Sequence, residues 1–540
     1  MKRIAFILML CCVATAKTFS QSTDATMVNS GGPLKPLQAI MDIRHNTLVL
    51  DVDIAKHTID GYAEIDLILY KPTDTLLFDL IHLLSVHKIL VNGKENQFEQ
   101  KNDLIYIINK ATFKAGKQTV RIYYGGTPPE GKRPPWEGGF TWKTDKHGNP
   151  WVSINVQLQG AKMYYPCKDH PSDEPDEGVD LFITIPKGLS VAGPGLLQGV
   201  KQLPNNKATW HWKTNYTISN YTVVFNIGKY AVVSRPYTTV GGHTVPIQFY
   251  VLEEDTAHAQ QILDMRVRDT RLMEKYFGEY PWYNEKIGVV EVPNSGMEHQ
   301  TMVSYSGKFT FDQYENNLLF NGELFHEYAH EWWANKITNY DWSHMWIQEG
   351  TATYAEALFF KDARGERGYD SVMVRKRAGV RGLKPVITDS SSYLNSHYNT
   401  DMYTKGAFLM HTLRFVMGDS VFFPAIKKFV VDVKYPYVKN FTTEQVEQYY
   451  SAAYGKSLKP LFDFYLRTID FMDFQLTQST PDTYYLSIKN SPMELPLDIM
   501  TDNGVVHTVT PAAGKRFMIK SRTQPIVDPK GYYYKTVLVK

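Results

Sequence analysis

A chain of 540 residues is too long for one ordinary hydrophobic core and calls for about three or four domains. Hydrophobic residues make up 43% and charged residues 21%, a globular balance that excludes a disordered or fibrous chain. The 58 basic and 56 acidic residues leave a formal charge of +2, too small an excess to hold a polyanion, so nucleic acid is not expected as a partner.

In chain order the first element is an export signal. Met1, Lys2 and Arg3 precede an apolar run over 4–13 and the small residues Ala14, Thr15 and Ala16, the charged, apolar, small-residue order of a secretory signal peptide. The run falls well short of the roughly 20 residues that span a bilayer. A signal within 1–22 is expected, cut after Ala16 or nearer Gln21, giving an exported protein, periplasmic or secreted, with no stable membrane insertion. Cys11 and Cys12 lie inside that signal, so Cys167 is left without an intramolecular disulfide partner. Nothing in the sequence sets an oligomeric state.

Residues 23–235 read as a β-rich domain. Period-two alternation runs through Thr47-Leu48-Val49-Leu50-Asp51-Val52, Tyr62-Ala63-Glu64-Ile65-Asp66-Leu67 and Leu181-Phe182-Ile183-Thr184-Ile185. Asn92-Gly93, Gly125-Gly126 and Gly241-Gly242 read as turns between antiparallel strands. Residues 236–472 change texture, with helical patterns over 257–277 and 316–335 around a strand-like run at 287–292. Alternation returns over 473–540, in Tyr484-Tyr485-Leu486-Ser487-Ile488 and Phe517-Met518-Ile519-Lys520, as a small β-sandwich.

The chemistry is concentrated in His326-Glu327-Tyr328-Ala329-His330. On the helix predicted over 322–335 the two histidines lie one turn apart on one face, so both imidazoles reach a single ion. Neutral imidazoles suit zinc, and a catalytic zinc takes a third protein ligand while keeping one position open. Glu349, after eighteen intervening residues and at the start of a second predicted helix, supplies it. Glu327 points around the helix toward the open position, where a carboxylate can take a proton from water acidified to a pKa of about 7 and pass it to a leaving amine. One zinc ion per chain is the cofactor these residues imply. Glu331 and Asn335 either brace this helix by hydrogen bonds or lie solvated, and are kept out of the site. Trp332, Trp333, Trp342 and Trp346 are expected to pack the two metal-bearing helices together.

These residues, with Asn294-Ser295-Gly296-Met297-Glu298-His299, Tyr164-Tyr165-Pro166-Cys167-Lys168-Asp169 and Tyr403-Thr404-Lys405-Gly406-Ala407, resemble the aminopeptidase N family of gluzincin zinc metallopeptidases, which also includes the leukotriene-hydrolysing aminopeptidases. In that family a Gly-x-Met-Glu-Asn strand runs along the substrate backbone and its glutamate binds the free α-ammonium group. The resemblance therefore implies substrate binding by Gly296, Met297 and Glu298, with Ser295 and His299 departing from the family's glycine and asparagine. It implies a second amine contact from Gln157, or from Gln159 if the register slips by one strand period, and oxyanion stabilisation by Tyr403.

The fold class expected is α+β and multidomain, with a β-rich amino-terminal domain, a thermolysin-like zinc catalytic domain and a small carboxy-terminal β-sandwich. The function expected is hydrolysis of the first peptide bond of peptides with a free amino terminus. An endopeptidase or a lipid-epoxide hydrolase on the same zinc site stays open, as does an inactive peptidase-like binding protein.

Overall fold

The computed structural model describes residues 29–539 except 315–317, 389–390 and 513. The export signal expected within 1–22 lies outside the described residues. Among the described residues no helix is long and apolar enough to cross a membrane.

The amino-terminal alternation becomes an eight-stranded sheet built around Met41–Asp53, Thr58–Leu69, Gly116–Gly126 and Val179–Pro186. Its inward positions, including Leu48, Leu50, Val52, Ala63, Ile65 and Leu67, are buried while their neighbours alternate outward, which is what a half-buried pleated strand requires. Most pairs are antiparallel, but Met41–Asp53 and Val179–Pro186 run parallel. Asn92 and Gly93 both take positive φ, 50° and 77°, at the tight turn after Leu84–Val91, as a two-residue hairpin loop demands. Gly125 and Gly126 are not a turn. They end the strand Gly116–Gly126, where a Cβ on Gly125 would lie 2.5 Å from the Asp60 carboxylate and one on Gly126 would lie 2.7 Å from the Leu83 carbonyl, so these glycines answer crowding between strands rather than chain reversal.

The catalytic region starts from a four-stranded sheet in the order Tyr230–Thr238, Thr244–Leu252, Ile287–Glu291, Val303–Tyr305. Its first strand spans position 236 and joins its neighbour through the turn at Gly241 and Gly242. The helix Ala259–Phe277 makes the crossover between the parallel strands Thr244–Leu252 and Ile287–Glu291. The helical pattern expected over 316–335 divides: Leu318–Phe320 pairs with Asp312–Tyr314 as a short hairpin, and the helix itself is Gly322–Ala329. Asn321 accepts the Leu324 amide at 2.8 Å and so fixes where that helix begins, the usual work of an asparagine N-cap.

The amino-terminal domain is fastened to this region by buried polar groups. The Glu285 carboxylate accepts from the Thr214 hydroxyl and the Asn215 amide, both at 2.8 Å, and the Lys286 ammonium donates to the carbonyls of Gly193 and Gly195. Asn294 donates to Ser153 at 3.0 Å, close to the strand end that carries Gln157. These bonds set one wall of the cleft against the other.

The long helix Trp346–Ala378, kinked at Gly365, packs along Asp401–Met417. They cross at Gly350 and Gly406, where a Cβ on Gly350 would lie 2.8 Å from the Gly406 Cα. The carboxy-terminal strands form a four-stranded and a three-stranded sheet. That domain docks on Asp401–Met417 through Tyr532, whose ring stacks 3.9 Å from that of Phe415.

Because backbone meets backbone at the crossing, neither helix can yield to a methyl group by turning a side chain. Gly406→Ala is expected to cost about 2–3 kcal/mol and to lower zinc content with it. Unchanged melting temperature and metal content would contradict the close crossing.

Candidate metal centre

The helix Gly322–Ala329 ends at His330, its C-cap, with φ −65° and ψ −16°. The helix is shorter than the sequence suggested, yet those angles are still helical and the one-turn spacing of His326 and His330 is kept. The two Nε2 atoms lie 3.2 Å apart and each lies 3.3 Å from the same Glu349 oxygen. Among the described residues these three form the one group of histidine, cysteine and carboxylate ligands close enough to share an ion, all within 4.8 Å.

The outer ring atoms are already committed, which is the test of whether a metal fits. His330 Nδ1 lies 2.8 Å from the Trp333 carbonyl, and His326 Nδ1 lies 3.4 Å from the Glu356 carboxylate. A ring that donates from Nδ1 leaves the Nε2 lone pair facing inward as a ligand, the arrangement that second partners impose on zinc histidines. Burial opposes charge on Glu349, but with no ion between them the His330 and His326 rings, themselves pushed toward the protonated form by this carboxylate, overcome it and hold its carboxyl at about 2. Two imidazole nitrogens and one ionised carboxylate, at these separations, fit zinc in an open three-ligand site.

Glu327 lines the same cleft. Burial, working against the nearby imidazoles, pushes its carboxyl up to about 8. Tyr403 stands across the centre, its ring 6.0 Å from that of His326. Burial drives its hydroxyl well above the ordinary phenol value, so it keeps a proton to donate.

Glu298 lies on an edge segment. Met297 pairs with Ser304 through both backbone bonds, 3.3 and 2.9 Å, beyond the last strand of the catalytic sheet. Gly296 is needed where this edge passes the metal helix, because a Cβ there would come within 2.9 Å of side-chain atoms of Glu323 and Glu327. One Glu298 oxygen accepts from Gln157 Nε2 and, at 2.9 Å, from the Tyr221 hydroxyl. Ser295, Gly296, Met297, Glu298 and Gln157 all line the cleft, a cavity of about 500 Å³. Gln159 does not face it in the same way: it accepts the Gly138 amide at 2.9 Å and donates to the Trp136 carbonyl at 3.3 Å. His299 turns to the core, where Nδ1 meets the Ser304 hydroxyl at 2.9 Å and burial lowers the ring to about 3. The departure at that position therefore leaves the cleft wall untouched.

Several supporting residues escaped the sequence reading. Glu356 follows Glu349 by seven positions, two turns along the same helix face, and its other oxygen holds Lys376 at 2.7 Å. That spacing was the signal for it. Tyr221, packed 5.8 Å from the Trp342 ring, had no such signal. Glu331 and Asn335, which the sequence left undecided, are buried braces: Glu331 accepts the Thr301 amide at 2.9 Å and the Trp282 indole, and Asn335 donates to the Glu298 carbonyl at 3.0 Å. Trp332, Trp333, Trp342 and Trp346 are buried and none of them lines the cleft.

Residues 262–465 match the profile of the Peptidase family M1 domain. The chain is 22% identical over 482 residues to endoplasmic reticulum aminopeptidase 1 of Homo sapiens, covering 81% of this chain and 49% of the relative. It is 21% identical over 403 residues to aminopeptidase N of Lactococcus lactis, covering 71% and 46%. It thus spans about half the length of the curated relatives it matches. Among solved structures, an M1 zinc metallopeptidase mutant from Deinococcus radiodurans bound to a Tyr-Ser-Ala substrate superposes with a TM-score of 0.66 at 21% identity, covering 79% of this chain and 94% of that one. At that identity the likeness establishes the fold.

The purified protein is expected to carry about one zinc per chain and Glu349→Ala almost none, while Glu356→Gln, which loosens His326 without removing a ligand, should weaken binding by roughly 10–100-fold. Full zinc occupancy in Glu349→Ala, measured by inductively coupled plasma mass spectrometry, would contradict the ligand set.

Proposed function

We propose that this chain, which belongs to the M1 family of zinc metallopeptidases, is an aminopeptidase that removes one residue at a time from peptides with a free amino terminus. The observation that carries the reading is the placement of Glu298 on an edge segment, next to the Met297–Ser304 bridge, opening onto the same cleft as His326, His330 and Glu349. An edge strand can pair with an extended peptide, and a carboxylate at its end accepts charge-assisted hydrogen bonds from an ammonium group. A peptide so held presents its first carbonyl at a fixed distance from the anchored amine, which limits cleavage to the first bond.

Zinc held by His326, His330 and Glu349 would supply a Lewis acid that polarises the carbonyl and lowers the pKa of water. Glu327 takes the proton of the attacking water and returns it to the departing amine. Tyr403 donates its hydrogen to the oxygen that becomes negative. Gln157 and Tyr221 hold the Glu298 carboxylate in place through hydrogen bonds made before substrate arrives.

Export to the periplasm or the medium belongs to the same proposal and is supported by the order of Met1 to Ala16. Mass spectrometry of the exported protein should find that segment removed; an intact Met1 would contradict it.

Aminoacyl coumarin amides with the amine free or acetylated separate the readings. Zinc-loaded protein should cleave only the free-amine series, and Glu298→Ala should lower kcat/KM by about 10²-fold or more, the loss of a charge-assisted anchor. Cleavage indifferent to acetylation would replace this reading with an endopeptidase.

A further inference from the structure

Resting on that function, we propose that Trp136 and Tyr398 form a hydrogen-bond relay that orients the Tyr403 hydroxyl, so that a loop of the amino-terminal domain sets the donor used in the helical one. Trp136 lies 262 residues before Tyr398 in the chain, yet its indole Nε1 reaches the Tyr398 hydroxyl at 3.3 Å. That hydroxyl lies 2.9 Å from the hydroxyl of Tyr403. All three residues line the cleft.

The chemistry of the indole sets the first step of the relay. An indole N–H only donates, so Tyr398 must accept from Trp136. Among the described residues the hydrogen-bond partners of the Tyr398 hydroxyl are Trp136 and Tyr403. Either hydroxyl can donate to the other; the relay takes the polarity in which the Tyr398 proton goes to the Tyr403 oxygen, leaving the Tyr403 proton free for the cleft. The opposite polarity would consume the proton Tyr403 needs. Successive donors polarise one another, so each step toward Trp136 makes the Tyr403 proton a stronger donor.

The loop is built to hold this contact. Trp136 is 44% exposed, so burial of its ring does not fix it. Its backbone is fixed instead: Gln159 bonds both the Trp136 carbonyl and the Gly138 amide, and Arg133 and Glu137 exchange backbone bonds at 3.3 and 3.0 Å. Gln159, the alternative amine ligand of the sequence reading, therefore has a place in the site as the support of this loop. Trp136 and Tyr398 are positioning residues, acting through Tyr403.

The test compares wild type, Trp136→Phe, Tyr398→Phe and the double variant on a panel of free-amine aminoacyl coumarin amides. Trp136→Phe keeps an aromatic ring, smaller than the indole, and removes the donor, at an exposed site where folding is not at stake. The relay predicts that kcat falls about fivefold in Trp136→Phe and about tenfold in Tyr398→Phe for every first residue, with KM within about twofold and the double variant no lower than Tyr398→Phe alone. Losses confined to KM, restricted to one class of first side chain, or multiplying in the double variant would overturn the relay and make Trp136 a wall of the substrate pocket. The Trp136 indole N–H resonance in nitrogen-15-labelled, zinc-loaded protein reads the same contact without turnover. It should move in Tyr398→Phe and, to a smaller extent, in Tyr403→Phe. If wild type cleaves none of the panel, the proposed function fails, and an indole resonance unmoved in both variants overturns the relay separately.

Discussion

The site depends on how closely two helix backbones approach at Gly350 and Gly406. Glu349 immediately precedes the first glycine, and Tyr403 lies one turn before the second, so the crossing brings the proposed third metal ligand and the proposed oxyanion donor to one cleft. Any side chain at the crossing would drive the helices apart by more than a hydrogen-bonded site tolerates. The metal helix Gly322–Ala329 then meets this pair from the side, through the contact of His326 with both Glu349 and Glu356. Gly296 likewise leaves room between the edge segment and the metal helix, here against the side chains of Glu323 and Glu327.

The second organising feature is charge. Glu298, Glu323, Glu327, Glu349 and Glu356 all line one cleft in which, among the described residues, Lys376 is the only lysine or arginine. Carboxylates gathered at low dielectric repel one another unless cations enter. This cleft therefore favours a divalent ion at one end and a substrate ammonium at the other. Neighbours separate the two: the His330 and His326 rings hold Glu349 at about 2, while burial raises Glu327 to about 8. Residues alike in sequence are thus separated in function by which neighbours each one faces.

Much of this was legible in the sequence because it is written at short range. The one-turn spacing of His326 and His330 needs only helix geometry, and the β-rich ends show in period-two alternation. What was not legible is long-range. Tyr221 reaches Glu298 across 77 residues and Trp136 reaches Tyr398 across 262, and no periodicity encodes either meeting. Gly125 and Gly126 look like a turn because glycine pairs permit one, yet crowding from neighbouring strands placed them. The helical pattern over 316–335 misled because the hairpin Asp312–Tyr314 with Leu318–Phe320 feeds apolar residues straight into the helix that follows. Local pattern located the metal residues, a family resemblance pointed to Glu298, Gln157 and Tyr403, and the fold supplied the residues that hold them in place.

The central claim is that one cleft anchors a peptide's amine at Glu298 and its first carbonyl at the metal triad. A crystal structure of the zinc-loaded Glu327→Gln protein with a bound tripeptide tests it most directly. The account predicts the amine within hydrogen-bond distance of Glu298 and Gln157, and the first carbonyl oxygen between the ion and the Tyr403 hydroxyl. A peptide running through the cleft with its amino terminus elsewhere, or an ion not held by His326, His330 and Glu349, would contradict it.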